Sequence, residues 1–556
     1  MLPKPVILVL FLFQSINSLL VSLFLEYLVV SSFKHNLSNA HHLTCDQGQL
    51  VPLFCNEVLP GDVWQQDTSL LIRVAPLLAP VMHECTVRVH HFFVPNRLVW
   101  DGWEQFIVDA KDVDTVQVPV LGPCDAKPAG SNFATIVSPG SLADYLGVPA
   151  GDYSSYLPAI VPDTPFYVNA LPFRGYALIY NEFFRDQDLQ APLPVSTASV
   201  SIGFPDTVTN ITLANVDWEK DYFTSARPAP QDGDAVFLPL AIPSLPVKGL
   251  GVDASATATF NASAYETGSN TARNFATAAG SAGTSPPNGN ILVELNGGVS
   301  RVNVRTEATN SSTSINLNDL RKASALQRFR ENLSRFGSRY SERLRNAFGV
   351  SPTDARLQRP EYLGGGKHIL SFSEVLQTAD APSTGTYVGT MRGHGISGLR
   401  SMRYRRRFEE HGYVFTLLSV RPRTGYLSSI HKHWLRKTTE DFFQPEFQNL
   451  GQQAISQQEI YPFAKSSRTT TFGWQDRYDE YRHLENRVSG DFRSKLNFWH
   501  MAREFSSPPT LNSSFVTATP TNRIYADTVA PKLLVSAYNK AIVRRKVSYK
   551  SNPRLF

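Results

Sequence analysis

The chain is poor in cysteine, in net charge and in recognisable catalytic motifs. Its four cysteines, Cys45, Cys55, Cys85 and Cys124, all lie in the first quarter of 556 residues. None forms CxxC or another metal-ligand spacing, and a disulfide framework needs denser cysteine. The sparse pattern favours a reducing cytoplasm and buried free thiols. Charged residues make up 18% and the formal net charge is +5, compatible with a polyanionic partner but not requiring one. GxSxG, HExxH and GxxxxGK[ST] are absent. With no nucleophile–base pair to nominate, neither an enzyme activity nor a cofactor or metal site is expected.

What is present points to a loop-rich β protein. Pro (37) and Gly (34) are plentiful and aromatics reach 11%, a usage in which turns punctuate strands and rings pack on pleated faces. Strand-like runs cover Leu71–Val74, Thr86–Val94, Val116–Leu121, Thr197–Phe204 and Ala235–Leu240, then Tyr413–Val420 and Ile542–Val547. Pro119 and Pro239 mark two of these as edge strands. No helical pattern separates the early runs, so the expected fold is an antiparallel sandwich. The composition changes sharply between about 250 and 315. The Ala/Ser/Thr/Gly/Asn-rich stretch there has too few large apolar side chains for a core of its own and reads as a surface excursion.

An amphipathic helix follows. Asn318 or Asp319 can cap it, Leu326, Phe329, Leu333, Phe336, Tyr340, Leu344 and Phe348 form its stripe, and Gly349 can stop it. Gly337 weakens it by about 1 kcal/mol relative to Ala. Its other faces carry Arg321, Lys322, Arg328, Arg330, Arg335, Arg339, Arg343 and Arg345, for packing between subunits or for nucleic acid. Gly393–Gly398 spells GxGxxG and Gly364–Lys367 spells GGGK, but both lack the context of a phosphate site and read as glycine-rich turns. The pairs His41-His42, His90-His91 and His431-x-His433 have no third ligand at a recognisable spacing and read as structural.

Two basic clusters stand out. Arg403, Arg405, Arg406 and Arg407 lie beside Arg400, Tyr404 and Phe408. Arg544, Arg545 and Lys546 lie in an acid-free C-terminal stretch with Lys532, Lys540, Lys550 and Arg554. Arg and Lys neutralise phosphates and aromatics stack on unpaired bases. The seven side chains Arg403, Arg405, Arg406, Arg407, Arg544, Arg545 and Lys546 are therefore candidate DNA contacts. The competing reading is a solvated face or salt bridges to a neighbouring subunit.

Several strings resemble the major capsid protein of microviruses, closest to the gokushovirus branch. They include Val51–Phe54 with Asn56–Asp62, Phe92–Asp101 with Trp103, Leu171–Tyr176 with Tyr180–Gln187, and Asp221–Pro228. Arg359–Gly365, Glu410–Val414, Ser419–Thr424, Pro445–Phe447 and Leu511–Val516 complete the set. Their order and spacing are specific, since no fold period generates them, and they span roughly residues 31–540. The resemblance implies a mainly β fold: a single eight-stranded antiparallel jelly roll with long loop insertions and a few helices. It also implies a bacteriophage virion protein that self-assembles in the bacterial host cytoplasm. The product is a T=1 icosahedral homo-oligomer enclosing a single-stranded DNA genome. Other virion proteins are further partners, and the inserted loop would meet a host receptor.

On this reading residues 31–249 and 350–556 form the capsid domain with its basic tail. Residues 250–318 are the surface insertion and 319–349 the basic helix. Residues 1–30 are an apolar leader whose Val6–Val30 run is about long enough to span a bilayer. Nothing in the family matches the leader, so a misassigned start is favoured over a signal anchor or a buried helix. The rival function is a membrane-anchored β-sandwich that binds glycans, using the leader as anchor and aromatic loops as platform.

Overall fold

A computed structural model describes residues 32–108, 117–124, 138–149, 166–199, 206–234, 236, 317–337, 339–378 and 388–550, with two-residue strands at 250–251, 264–265, 272–273 and 292–293. The expectations for the leader, for most of the Ala/Ser/Thr-rich stretch and for Ala235–Leu240 lie outside them. The chain divides into two units, Met1–Asp232 with Glu331–Phe556, and Gly233–Arg330.

The first unit holds a ten-stranded antiparallel sheet. Its strands are β1 (Phe33–Asn36), β2 (Asn39–Cys45), β3 (Leu50–Val58), β4 (Val63–Val74) and β5 (Cys85–Pro95), then β6 (Glu361–Leu376), β7 (Met391–Arg400), β8 (Tyr404–Arg407), β9 (Gly412–Pro422) and β10 (Leu533–Arg545). The hydrogen-bonded order is β1-β10-β4-β7-β6-β5-β9-β3, with β2 also on β10 and β8 also on β4. β1 and β2 pair with successive stretches of the same β10, and β7 and β8 with successive stretches of the same β4. Joining each interrupted pair leaves the eight strands of a jelly roll.

The sheet doubles over through β6, whose first half pairs with β5 and second half with β7. Its two halves then face each other. Val51, Leu53, Val87, Val89, Leu418 and Val420 from one half share a core with Leu70, Ile72, Val535 and Ala537 from the other. A second cluster joins Phe54, Phe93 and Val414 to Trp64, Ala541 and Val543. The cause is period-two patterning, which puts alternate side chains of each strand between the layers.

Helix α1 (Leu171–Phe183) covers the outer face of the β3-β9-β5 layer, packing Phe173, Tyr176 and Ile179 onto Leu50, Phe92, Val94, Phe415 and Leu417. Gly175 permits this approach, because a Cβ there would lie 2.9 Å from the Phe415 ring. Tyr176 donates to Leu50 O at 2.8 Å and accepts from Ala214 N at 3.1 Å. Arg174, fully buried, pairs with Asp206 at 2.8 Å and donates to the carbonyls of Val99 and Ala198. The run Leu171–Tyr176, one of the strings that carries the family resemblance, is thus the element that seals one side of the sandwich.

Several local expectations change. The stretch read as one helix over 319–349 is two, α2 (Leu317–Phe336) and α3 (Tyr340–Phe348). Gly337 between them has φ +95°, and a Cβ there would fall on the Glu342 carboxylate; that left-handed backbone ends a helix. Gly349, at φ +69°, caps α3 as expected. Gly393–Gly398 is not a turn but the middle of β7, where Gly393 and Gly395 face inward and added Cβ atoms would strike Ala79 O at 2.4 Å and Val74 Cγ2 at 2.6 Å. Gly364–Lys367 is not a turn either: it lies within β6, next to a bulge at Tyr362/Gly364.

The Gly233–Arg330 unit contains most of α2 and two short antiparallel ribbons, Leu250–Gly251 with Leu292–Val293 and Ala264–Tyr265 with Ala272–Arg273. Val120–Cys124 pairs with Phe166–Asn169 as a separate ribbon of the first unit, whereas Thr197–Ser199 are not strand.

Candidate nucleic-acid interface

Alternation along β10 sets up the site. Leu533, Val535, Ala537, Asn539, Ala541 and Val543 are buried, so Leu534, Ser536, Tyr538, Lys540, Ile542 and Arg544 point outward. β4 and β8 are hydrogen-bonded beside it, and register brings the two basic clusters onto one surface. Lys34 pairs with Arg544, Arg544 with Val63, and Val63 with Arg407. In the next row stand Asn36, Ile542, Gln65 and Arg405. Directly paired residues share a face, so Arg405 and Arg407, far in sequence from Arg544, lie on one face with it across a three-strand width.

The face continues with Lys540, paired with Asp67, and with Arg400, Arg73 and Arg392 on the outward register of β7 and β4. Asp67 is the acid among these outward positions, and it is occupied: Arg400 Nε donates to it at 2.9 Å and Arg403 Nε at 3.0 Å. Burial works against its charge, but the two guanidinium hydrogen bonds win and hold the carboxyl below the usual range. Both arginines keep exposed heads, with 63% and 45% of their side-chain surface open, so Asp67 orders them without removing them from solvent.

The seven candidates thus divide. Arg405, Arg407 and Arg544 are exposed on the face and make no ion pair within the described residues. Arg403 is on the face and braced by Asp67. Lys546 is exposed just beyond the end of β10. Arg406 points the other way and pairs with Glu361 at 2.9 Å. Arg545 is on the inward register, bonded to buried Asp62 at 2.7 Å with its guanidinium 5.9 Å from the Trp64 ring. These last two arginines brace the end of the sandwich. Lys34, Arg73 and Arg392 join the face without belonging to either cluster; only their outward register reveals them.

The helical basic stretch behaves differently. Arg335 makes a bidentate pair with Asp476 at 2.7 and 2.8 Å, and Arg339 donates to Arg185 O at 2.8 Å. Most of the apolar stripe is open: Leu326, Phe329, Phe336, Tyr340 and Phe348 are exposed, whereas Leu333 and Leu344 are half-buried.

Of the paired histidines, His91 and His431 are buried, whereas His42 and His433 are exposed. His91 sits in a buried hydrogen-bond network with Thr416 and Ser401, and His431 Nε2 lies 3.2 Å from Glu480 O. Cys45, Cys55 and Cys85 are free thiols, and burial pushes Cys45 and Cys55 up to about 12. Among the described residues no group of three or more His, Cys, Asp or Glu could hold a metal ion, and no helix is long and apolar enough to cross a membrane.

The order of residues along this chain matches a known protein family. Residues 29–555 fit the model of the family described as "Capsid protein (F protein)". The chain belongs to the F capsid protein family. Similar relatives carry the name "Capsid protein VP1". That of Bdellovibrio phage phiMH2K is 35% identical over 484 residues, 84% of each chain. That of Chlamydia phage 1 is 30% identical over 567 residues, covering 90% of this chain and 92% of the relative. That of Spiroplasma virus 4 is 30% identical over 496 residues, 84% of each. The microvirus resemblance of the sequence therefore holds. As a member of this family the protein is a structural capsid component of a bacteriophage virion, not an enzyme.

Proposed function

We propose that this F-family capsid protein is the major shell subunit of a small single-stranded DNA phage. Its copies assemble in the bacterial cytoplasm and close into a T=1 icosahedron, with the basic β10-β4-β8 face turned toward the packaged genome. The sandwich supplies a rigid brick, and the long connections between strands supply surfaces that repeated symmetric contacts can close. Large interfaces between copies, rather than any reactive site, then hold the shell. The observation that carries the nucleic-acid part is the gathering of Lys34, Arg405, Arg407, Lys540 and Arg544 on one sheet face around a single, already paired carboxylate. Such a face binds phosphates by releasing counterions, which makes binding salt-sensitive and independent of base sequence.

The stretch 250–318 would form the outer loop that meets a host receptor, and other virion proteins would complete the particle. Capsid-family membership favours this reading over a membrane-anchored glycan binder. The test is expression of the chain from residue 31 onward, alone and with single-stranded DNA, followed by electron microscopy and nuclease challenge. Uniform closed particles that shield DNA from nuclease are expected. Subunits that stay solitary at high concentration, or particles whose DNA content does not respond to the charge of this face, contradict it.

A further inference from the structure

Tyr538 stands in the middle of the basic face and is 50% exposed. Its register neighbours are Ala40 on β2 and Ser69 on β4. Both side chains stop at or just past Cβ, so the ring rises above them, and among the described residues no other ring packs against it. Lys540 is two residues along β10, roughly 7 Å away on the same face. Arg400 is paired with Ser69, two strands across from Tyr538, at roughly 10 Å. A large half-bare aromatic on a sheet's outer surface contributes little to the fold, whereas one ringed by small side chains and flanked by cations has the makings of a stacking platform.

We infer that Tyr538 stacks an unpaired nucleobase of single-stranded DNA while Lys540 and Arg400 hold the phosphates on either side. The inference rests on the proposed genome-facing role of this sheet and adds to it a contact with the base itself. The charge balance selects the occupant. Next to the ring stand the small Ala40, Ser69 and Ser536 and the half-exposed Leu71. The charges within reach are Lys540 and Arg400, with Asp67 already bonded to Arg400 and Arg403, so an anionic strand is favoured over a basic partner. Stacking selects a single strand, because the stacked pairs of a duplex offer the ring no free base face. Stacking on Tyr538 is indifferent to which base lies there, consistent with packaging a whole genome.

The experiment compares fluorescence anisotropy of labelled oligothymidylate and of an abasic deoxyribose-phosphate strand of equal length, each titrated with the full-length unassembled subunit. Tyr538→Ala is expected to weaken oligothymidylate binding about 5- to 150-fold and to leave the abasic strand unchanged. Tyr538→Phe, which keeps the ring, is expected to bind both as the wild type does. If Tyr538→Ala binds oligothymidylate like the wild type while binding stays salt-dependent, stacking is refuted and the electrostatic reading survives. Equal losses on both strands, or a Tyr538→Phe variant as weak as Tyr538→Ala, also refute it. If the wild type binds neither strand at low salt, the genome-facing reading falls and takes this inference with it.

Discussion

The imidazole of His91 bridges the two layers of the sandwich: its Nδ1 lies 2.9 Å from Thr416 Oγ1 and its Nε2 3.0 Å from Ser401 Oγ. Thr416 Oγ1 also accepts from Gln66 Nε2 at 3.0 Å, and Ser401 Oγ accepts from Thr68 N at 2.9 Å. Burial pushes His91 down to about 3, with the neighbouring His90 adding to the shift, so the ring is neutral and can donate from one nitrogen while accepting at the other. Replacing it with Leu strands polar groups in the core, and a loss of about 1–3 kcal/mol is expected by urea denaturation of the unassembled subunit. The folded value lies below the unfolded one near 6.5, so the unfolded chain binds the extra proton first. Stability from this site is therefore lost as pH falls from about 6.5 toward 3. The urea midpoint should drop less between pH 7 and pH 5 in His91→Leu than in wild type; an unchanged drop contradicts the assignment.

Glu459 has the opposite sign. Its carboxyl is buried, accepts from Ser456 N at 2.9 Å and Tyr222 Oη at 3.2 Å, and is raised by burial to about 7. The folded state holds a proton that the unfolded chain gives up near 4.5, so stability declines as pH rises from about 4.5 to 7. Glu459→Gln keeps an acceptor and removes the titration. Its Tm should change less than the wild-type Tm between pH 5 and pH 8, and should exceed it at pH 8.

Arg174 and Asp206 form a buried pair whose carboxylate also accepts from Thr209. Arg174→Ala leaves that carboxylate uncompensated beneath α1. A cost of about 3–5 kcal/mol is expected, read as loss of soluble subunit or as a lowered denaturation midpoint. An equally stable variant would show that the pair does not anchor the helix.

Arginines close in sequence should part company on mutation. Removing Arg405, Arg407 and Arg544 together, each to Gln, should flatten the dependence of log affinity on log salt by about 2 for single-stranded DNA, at about 0.7 for each phosphate no longer neutralised. Their stability should hardly move. Arg545→Gln should do the reverse, lowering stability by breaking the pair with Asp62 and leaving the salt slope nearly intact.

Glycines in β7 offer a control on the sheet itself. Gly395→Ala would set a methyl 2.6 Å from Val74 Cγ2 and 3.0 Å from the Phe372 ring, and about 1–3 kcal/mol of destabilisation is expected. Gly398→Ala meets nothing within 4 Å and should be nearly neutral in the same unfolding assay.

Strands whose buried positions carry large apolar side chains are legible from alternation: Thr86–Val94 falls in β5 and Tyr413–Val420 in β9. β6 and β7 are not, because glycine at their inward positions erases the apolar half of the pattern and imitates a turn. Helix α1 is hidden for a related reason. Pro172 and Gly175 read as breakers, yet one occupies the first turn and the other makes room for Phe415. The basic clusters are visible as runs of charge, but a run cannot say which members alternate inward. Arg406 and Arg545 look equivalent to Arg405 and Arg544 until the pleat separates them. Nor can a sequence show that β8 and β10 flank the same strand.

The pairing of β1 and β2 with β10 joins residues 33–45 to residues 533–545. During synthesis the earliest strands must wait for the last ones, at about 5–20 residues per second roughly half a minute to two minutes. Until then β4 also lacks its neighbour on that side. A chain that stops short of residue 533 thus leaves β1, β2 and one edge of β4 without their partner, so the closure of this sheet depends on the last strand to be made.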